Sequence, residues 1–233
     1  MTEPRIVSHE EWLAARKEFL AKEKEFTRLR DDLSRARRAL PWERVEKAYA
    51  FDAAEGRVSL ADLFGGHHQL LVYHFMFGPD WNEGCPSCSF WADNYNGVEV
   101  HLAHRDTALV AISRAPFAKL EAYRKRMGWS FRWVSSAPSD FNFDYRVSFA
   151  PEEVDPERLV CNFGTHRTYG TEMPGISVFY RDPEGQVFHT YSTYLRGIDM
   201  MNVAYQYLDL VPKGRDEAAL SFSMAWVRYH DEY

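Results

Sequence analysis

The chain has 233 residues, of which 45% are hydrophobic and 15% aromatic, and its formal net charge is −6. A sequence of this size and composition can bury a sizeable core without disulfide bonds. The negative charge argues against nucleic-acid and membrane partners, because both select for basic faces. No export signal is visible, and the longest strongly apolar run, LLVYHFMF, is far shorter than a membrane span. We therefore expect a cytoplasmic protein whose three cysteines form no disulfide framework.

Residues 8–40 predict one long helix. Ser8 is the expected N-cap, Glu11 completes a capping box, and Pro41 ends the helix. Apolar residues recur at every seventh position, namely Trp12, Phe19, Phe26, Leu33 and Leu40. Such a stripe predicts an amphipathic helix packed on its own domain, and the alternative is the seam of a homodimer. We assign residues 1–49 to an N-terminal helical extension.

From residue 50 onward the pattern predicts alternating strands and helices. The runs HQLLVYHFMF and DTALVAIS are typical of buried central strands, and WSFRWVSS alternates like a third strand. The segment APFAKLEAYRKRMG predicts an amphipathic helix, and GISVFYRDPEGQVFHTYSTY predicts a hairpin around DPEG. Together these elements indicate an α/β fold. Residues 137–172 are polar and irregular and predict an insertion, whereas residues 196–233 predict a C-terminal extension with one or two helices.

The stretch EGCPSCSFWAD contains Cys85 and Cys88, two of the three cysteines. It follows a predicted buried strand through a loop, and Pro86 favours the first position of a helix. This places Cys85 at a helix N-terminus, where unpaired N–H groups and the helix dipole lower the pKa of a thiol. Cys88 lies one turn later and can reach the sulfur of Cys85. The pattern predicts that Cys85 is the nucleophile, more acidic and more exposed, and that Cys88 is the resolving thiol.

These segments resemble the thioredoxin superfamily over roughly residues 50–195. The matching residues are LLVYHFMF, the motif CPSC, ALVAISRAPFAKLEAYRKRMG and MPGISVFYRDPEGQVF. A closer resemblance is to a bacterial thioredoxin-like family without an established reaction, on the segments SLADLFGGHHQLLVYHFMF, GCPSCSFWAD, GISVFYRD and HTYSTYLRG. The resemblance implies a thioredoxin-like central mixed sheet flanked by helices. The long N-terminal helix precedes this domain and the helical extension follows it.

In that superfamily a cis proline stands just before the first strand of the hairpin and beside the CxxC motif. Pro174 occupies the matching place, so the resemblance implies a cis Met173–Pro174 bond against the cysteines. Such a bond would expose the backbone of Met173 to an extended substrate segment, which could pair with it as an added strand does. Trp81, in the loop before the motif, and Pro86 complete the expected substrate-binding residues.

The resulting function hypothesis is a thiol–disulfide oxidoreductase that needs no bound cofactor. Its substrate would be a disulfide-containing protein or a small-molecule disulfide, and its electrons would come from a reductase or a small thiol. A second hypothesis is a peroxide-reducing, peroxiredoxin-like enzyme. Pro79 fits that pattern, but Asn82 stands where those enzymes have a threonine. A third is a non-catalytic module for binding or assembly, because the helix, insertion and tail add to a superfamily core that does not need them.

Other residues near the motif invite several interpretations. Glu83 and Asp93 carry negative charges that would raise the pKa of a nearby cysteine. Phe90 and Trp91 are expected in the core or at its rim, and Trp81 is as well suited to a substrate-docking surface as to the core.

The third cysteine and the histidines are predicted to be mainly structural. Cys161 and His166 could join the CxxC pair in a zinc site with three cysteines and one histidine, but a buried Cys161 is the simpler expectation. His74 lies within a core strand. His166 and His189 would approach the cysteines only if the insertion folds over the motif.

Overall fold

The structure, a computed structural model, describes residues 4–233, and the chain divides into a unit that ends at Pro41 and a unit Trp42–Tyr233. The first unit is dominated by helix α1 (His9–Arg38). The predicted capping box is formed, since the Glu11 N–H donates to Ser8 Oγ at 3.2 Å and the Ser8 N–H donates to Glu11 Oε2 at 3.0 Å. Basic residues in the last turn of α1 complement the negative end of its dipole.

The second unit is built on one eight-stranded sheet with the order β1-β8-β7-β4-β5-β6-β2-β3. The strands are β1 (Glu43–Arg44), β2 (Ala50–Ala53), β3 (Gly56–Ser59), β4 (Gln69–His74), β5 (Thr107–Ser113), β6 (Arg132–Ser135), β7 (Gly175–Arg181) and β8 (Val187–Tyr194). Strands β4, β5 and β6 are parallel neighbours, and the other pairs are antiparallel. The helices of this unit are α2 (Pro86–Ala92), α3 (Val98–Ala103), α4 (Phe117–Arg126), α5 (Phe141–Asp144) and α6 (Val203–Leu208).

The chain therefore runs from β4 through the CxxC helix α2 to the parallel strand β5, and later adds the β7–β8 hairpin on the other side of β4. This arrangement confirms the prediction of an α/β fold with a thioredoxin-like mixed sheet. The hairpin turns at Asp182–Gly185 as expected. The Gly185 N–H donates to the Asp182 carbonyl at 3.0 Å, and Gly185 has a φ of 87°, which glycine adopts without strain.

Strand β4 supports two separate cores because its successive side chains point to opposite faces of the sheet. Tyr73 and Phe75 contribute to an aromatic cluster that includes Cys88. Leu70 and Val72 contribute to a second cluster on the other face. Strand β4, which leads to the cysteine motif, is therefore buried on both faces of the sheet.

In the described part of the chain, no helix combines the length and apolarity needed to cross a membrane.

The C-terminal segment forms one of the two helices that the sequence indicates. Helix α6 and a preceding 3₁₀ segment, Leu195–Met201, are formed, but the second predicted helix, around EAALSFSMAWVRYH, is replaced by turns. The cause is Glu217, whose carboxylate accepts hydrogen bonds from the Tyr205 hydroxyl, the Met224 N–H and the Trp226 indole N–H. These hydrogen bonds hold the segment around the Glu217 side chain in a conformation that is not helical.

Candidate functional site

The site begins where the chain leaves β4 and returns to start α2. Cys85 is the N-cap of α2, and Pro86 occupies the first turn, as the sequence predicts. The Cys85 N–H donates to the Met76 carbonyl at 3.0 Å, and the Met76 N–H donates to Cys88 Sγ at 3.4 Å. Met76, just after β4, therefore binds both cysteines through its backbone, and these hydrogen bonds fix the motif against the end of the central strand.

The two thiols differ in exposure in the order that the sequence predicts. Cys85 is half-buried, and Cys88 is buried with 2% of its surface exposed. A hydrogen bond from the Cys88 thiol lowers the pKa of Cys85, and the backbone N–H groups of Cys88 and Ser87 at the start of α2 lower it further. Burial opposes this effect, but the lowering prevails. Cys85 is therefore the thiol that becomes a thiolate near neutral pH.

Cys88 has the opposite shift. Burial raises the pKa of Cys88 well above that of an ordinary thiol, and the adjacent Cys85 raises it further. The Met76 N–H and the Tyr73 hydroxyl act in the other direction, because both can stabilise a thiolate at this position. The pair is thus polarised into one acidic, accessible sulfur and one protonated, sheltered sulfur. The order of acidity and exposure is the one that the sequence predicts for Cys85 and Cys88.

Close packing fixes the loop immediately before Cys85. A Cβ atom at Gly84 would lie 2.6 Å from Cε1 of Phe75, so only glycine lets the loop approach the core this closely. The Gly84 carbonyl accepts a 2.8 Å hydrogen bond from the Tyr229 hydroxyl. Tyr229 is buried against Tyr123, which forms an edge-to-face contact with it. The end of the chain therefore helps to position the motif.

Both acidic residues near the motif have partners that neutralise or bind them. Glu83 forms a 2.5 Å ion pair with Arg126, which also pairs with Asp231 at 2.8 Å. Asp93 accepts hydrogen bonds from the Trp129 indole N–H at 2.8 Å and from His230 at 2.7 Å. The pKa of Cys85 is lowered in the presence of these two carboxylates, which interact with partners of their own.

The aromatic residues around the motif occupy different positions. Trp91 is buried and donates its indole N–H to the Ile198 carbonyl at 2.9 Å, whereas Phe90 packs edge-to-face against Tyr205 and Trp226. Both are core or rim residues, as predicted. Trp81 is half-buried in the loop beside Gly78 and packs against the same cluster as Cys85.

Trp81 also belongs to a loop that is tied down at its backbone. Lys119 on α4 donates hydrogen bonds to the carbonyls of Pro79 and Trp81, at 2.9 and 3.0 Å. The backbone that carries the indole is therefore held in place, and Pro86 at the start of α2 is exposed. Asn82, at the position where peroxiredoxins have a threonine, is exposed in the same loop.

The predicted cis bond at Met173–Pro174 is wrong. Every peptide bond within residues 4–233 is trans. The Met173 N–H donates to the Val147 carbonyl at 2.8 Å, and the Met173 side chain is buried against Phe149 and Cys161. This backbone is already paired within the fold, so it cannot receive an extended substrate in the predicted way.

Pro174 lies near the end of β4, although its peptide bond is trans. It directly precedes β7, in which Gly175 pairs with His74 at the end of β4. Continuing this antiparallel register places Pro174 opposite Phe75, one residue before Met76.

The remaining cysteine and histidines lie apart from the pair. Cys161 is buried, and its backbone forms a bridge with that of His166. His189 packs against Phe179, which belongs to the cluster on the opposite face of the sheet from Cys88. Among the described residues, no three His, Cys, Asp or Glu side chains are grouped so that they could hold a metal ion. The zinc arrangement considered from the sequence is not assembled.

The structure adds three contributors that sequence reasoning did not single out. They are Met76, through its backbone, together with Arg126 and Tyr229. Met76 could have been anticipated, because residues just after a central strand commonly lie beside a following helix N-terminus. Arg126 and Tyr229 gave no local signal, since Tyr229 lies 145 positions from Gly84 and only folding brings the two together.

Comparison with known proteins identifies one family over the whole sequence. Residues 1–233 match the model of a family described as "Bacterial protein of unknown function (DUF899)". No curated protein matches the sequence.

Solved structures similar to this chain include peroxiredoxin Q from Xanthomonas campestris, with 14% identity and a TM-score of 0.47 over 72% of this chain and 98% of that one. Peroxidoxin BcpB from Mycobacterium tuberculosis has 12% identity and a TM-score of 0.46, over 72% and 97% of the two chains. A thiol:disulfide interchange protein from Bacteroides sp. has 16% identity and a TM-score of 0.44, over 77% and 97%. These values are too low to assign a function to the chain.

Proposed function

We propose that this chain, which belongs to the DUF899 family of bacterial proteins, is a thiol–disulfide oxidoreductase in which Cys85 is the nucleophile and Cys88 resolves. The observation that carries the proposal is the polarisation of the pair. Cys85 is accessible and has a lowered pKa, whereas Cys88 is buried, protonated and within hydrogen-bonding reach of it. A purely structural pair of core thiols would have two raised pKa values and no accessible sulfur.

In the first step, the Cys85 thiolate attacks one sulfur of the substrate disulfide. A Cys85–substrate disulfide forms, the substrate S–S bond breaks, and the leaving thiolate takes a proton from solvent. The backbone N–H groups of Ser87 and Cys88 hold the attacking sulfur in its anionic form until it reacts. Because Cys85 is only half-buried, the substrate sulfur can approach it in line.

In the second step, Cys88 must lose its proton to solvent and attack Cys85, and the substrate thiolate that leaves then takes up a proton from solvent. Forming the mixed disulfide removes the negative charge of Cys85, which is one of the two main causes of the raised pKa of Cys88. The Met76 N–H, 3.4 Å from Cys88 Sγ, is then left to stabilise the new thiolate. Attack on Cys85 forms the Cys85–Cys88 disulfide and releases the second substrate thiolate, so two electrons have passed to the substrate.

The oxidised pair is returned to its starting state by two electrons from a small thiol or a partner reductase. No bound cofactor takes part in this cycle. We propose Trp81, Pro86 and Pro174 as the rim that a substrate contacts, because Trp81 and Pro86 flank Cys85 in the chain and Pro174 lies beside the end of β4. A disulfide-containing protein or a small-molecule disulfide fits this role, and we propose a cytoplasmic setting, where such pairs are kept reduced.

The test is reduction of the insulin disulfides in the presence of a small thiol donor, followed by turbidity. Wild-type protein should accelerate the reaction, and the Cys85→Ser variant should show only the rate of the donor alone. The Cys161→Ser variant is the matched control, because Cys161 is buried in a separate cluster, and it should retain the wild-type rate. A wild-type rate no higher than that of Cys85→Ser would refute the proposal.

A Cys88→Ser variant tests the assigned order of events. It should trap the mixed disulfide between Cys85 and the substrate, which mass spectrometry detects as an adduct on the peptide that contains Cys85.

If the native protein resists alkylation at both thiols, with and without reductant, the motif is structural and the chain is better regarded as a binding or assembly module.

A further inference from the structure

Helix α1 carries an apolar stripe that the thiol chemistry does not use. The side chains on this stripe are large but exposed, with Trp12 at 53%, Phe19 at 56%, Phe26 at 67% and Leu33 at 59% of their surface. No residue of α1 is buried. Leaving this many aromatic and aliphatic groups in water is unfavourable, at about 25 cal/mol for each Å² that could be removed from solvent. The stripe therefore has the character of a surface that binds another one.

The spacing of the stripe identifies the kind of surface that it fits. Its members on α1, from Trp12 to Leu33, recur every seven residues without a break, and Leu40 continues the repeat just after the helix ends. On a straight α-helix, a strict seven-residue repeat drifts around the helix by about 20° per repeat. It stays on one side only if the helix supercoils around a partner helix with the same repeat. A partner with this repeat is present on a second copy of the chain.

The charges beside the stripe select this partner and its direction. With Trp12, Phe19, Phe26 and Leu33 at heptad position a, each preceding position, g, is acidic. Those residues are Glu11, Glu18, Glu25 and Asp32. Position e carries Arg16, Glu23, Arg30 and Arg37, three of them basic. In a parallel pair each g residue faces the e residue of the next heptad on the other helix, and these contacts set the orientation.

Parallel pairing would bring together three pairs of oppositely charged residues and one pair of like charge between the two helices. Glu11 would face Arg16 of the second copy, Glu25 would face Arg30, and Asp32 would face Arg37. The like pair is Glu18 with Glu23, and Arg16 lies 2.8 Å from Glu23 on the same helix, which reduces that repulsion. Antiparallel pairing would instead place the acidic g positions against each other.

We propose that α1 forms a parallel, in-register, two-stranded coiled coil with α1 of a second copy of this chain, which makes the protein a homodimer. Position d of the same register holds Ala15, Lys22, Leu29 and Ala36, so the two alanines leave room beside the large side chains at a. Lys22 is the one charged residue in this seam. A lysine there costs stability, lays its aliphatic stem along the seam and helps to fix the register.

The first test measures the mass of the full-length protein by sedimentation velocity at micromolar concentration, with reductant to exclude disulfide-linked species. The wild-type chain should be a dimer. The Phe19→Glu/Phe26→Glu variant should be a monomer, and iodoacetamide should alkylate its Cys85 at the wild-type rate. The matched control is Ala14→Glu/Ala21→Glu, which adds the same charge at outer positions of α1 and should remain a dimer. A monomeric wild type, or a variant that stays dimeric, overturns the proposal.

The second test measures orientation by charge exchange. Glu25→Arg and Arg30→Glu should each weaken the dimer at least several-fold, and the double variant should recover most of the wild-type dissociation constant, because it restores opposite charges between the helices. These residues are five positions apart, so they do not face each other within one helix. A double variant weaker than both single variants would overturn the parallel arrangement.

The Lys22→Leu variant should dimerise more tightly than the wild type, because it removes the charge from the seam. A weaker dimer in this variant would contradict the assigned seam.

Discussion

At the scale of single residues, the shifts of the two cysteines depend on each other. The thiol of Cys88 stabilises the thiolate of Cys85 by donating a hydrogen bond to it, and the same bond keeps Cys88 protonated. Burial of Cys88 strengthens this division, because an isolated anion is costly in apolar surroundings. The acidity of Cys85 therefore depends on a particular neighbour as well as on its place at a helix N-terminus.

The pH dependence of alkylation tests this account. Iodoacetamide labelling of Cys85 should rise with pH through its pKa of about 7, since only the thiolate reacts, while Cys88 stays unlabelled over the same range. The Cys88→Ala variant removes the donated hydrogen bond and should shift the labelling midpoint to higher pH. Cys88→Ser keeps a hydroxyl donor and should shift it less. Peptide mapping checks the result, and equal midpoints for the alanine variant and the wild type would contradict it.

The site cannot accommodate a side chain at position 84, where the protein has a glycine. In Gly84→Ala the new Cβ would meet the ring of Phe75, which is itself buried and cannot move away. Overpacking of this kind costs about 1–3 kcal/mol, so we expect a lower urea midpoint and altered reactivity of Cys85. Gly170→Ala is the control, because nothing lies within 4 Å of its added Cβ. If both variants unfold at the same urea concentration, the close approach at Gly84 is not important for stability.

At the scale of elements, α1 and the sheet have different sources of stability. Helix α1 has a capping box, basic residues in its last turn and ion pairs along its surface, but no buried residue. The sheet instead depends on two buried clusters that enclose its faces. The motif is held within the second unit, by Met76 just after β4 and by the loop at Gly84, which Tyr229 binds.

Removing residues 1–41 should therefore leave the thiol site intact. The shortened chain keeps β1, which pairs with β8, and we expect it to be soluble, to unfold cooperatively and to alkylate Cys85 at the wild-type rate. Its far-UV circular dichroism should lose the large helical contribution of α1. Loss of Cys85 reactivity in a shortened protein that still unfolds cooperatively would show that the first unit takes part in the site.

At the scale of the whole molecule, a buried polar row crosses the sheet on the face opposite the cysteines. His74 lies 2.8 Å from Ser177, which lies 2.9 Å from Ser192, and Ser192 lies 2.7 Å from His189. Burial lowers the pKa of His74 from 6.5 to about 3, so the imidazole is neutral in the folded protein. An unfolded chain binds a proton at this residue over the intervening pH range.

Acidification should consequently destabilise the fold. Between pH 6.5 and about 3 the unfolded state takes up a proton that folded His74 does not, so the free energy of unfolding falls by up to about 1.4 kcal/mol per pH unit. The His74→Leu variant should lose part of this slope, whatever its stability at neutral pH. His101→Leu, on the exposed surface of α3, should keep it. Urea titrations at several pH values give the slopes, and identical slopes in the two variants would contradict the assignment.

Local features of the sequence determined much of this protein. Ser8 and Glu11 give the first helix its start, the run around Leu70 gives a central strand, and DPEG gives the hairpin turn. The position of Cys85 before Pro86 gives the helix N-terminus. Each of these depends on side chains a few residues apart, so the physical cause lies within the segment itself.

Only the tertiary structure decided how the site is completed. The Met173 N–H is taken by the Val147 carbonyl rather than presented to a substrate, and the Met173–Pro174 bond is trans. Burial raises the pKa of Cys88, whereas a hydrogen bond from Cys88 lowers the pKa of Cys85, and folding makes Arg126 the partner of Glu83. The turns in the C-terminal segment depend in the same way on three donors that converge on Glu217. These outcomes join residues distant in sequence, and a local pattern cannot encode a partner that is chosen only when the chain packs.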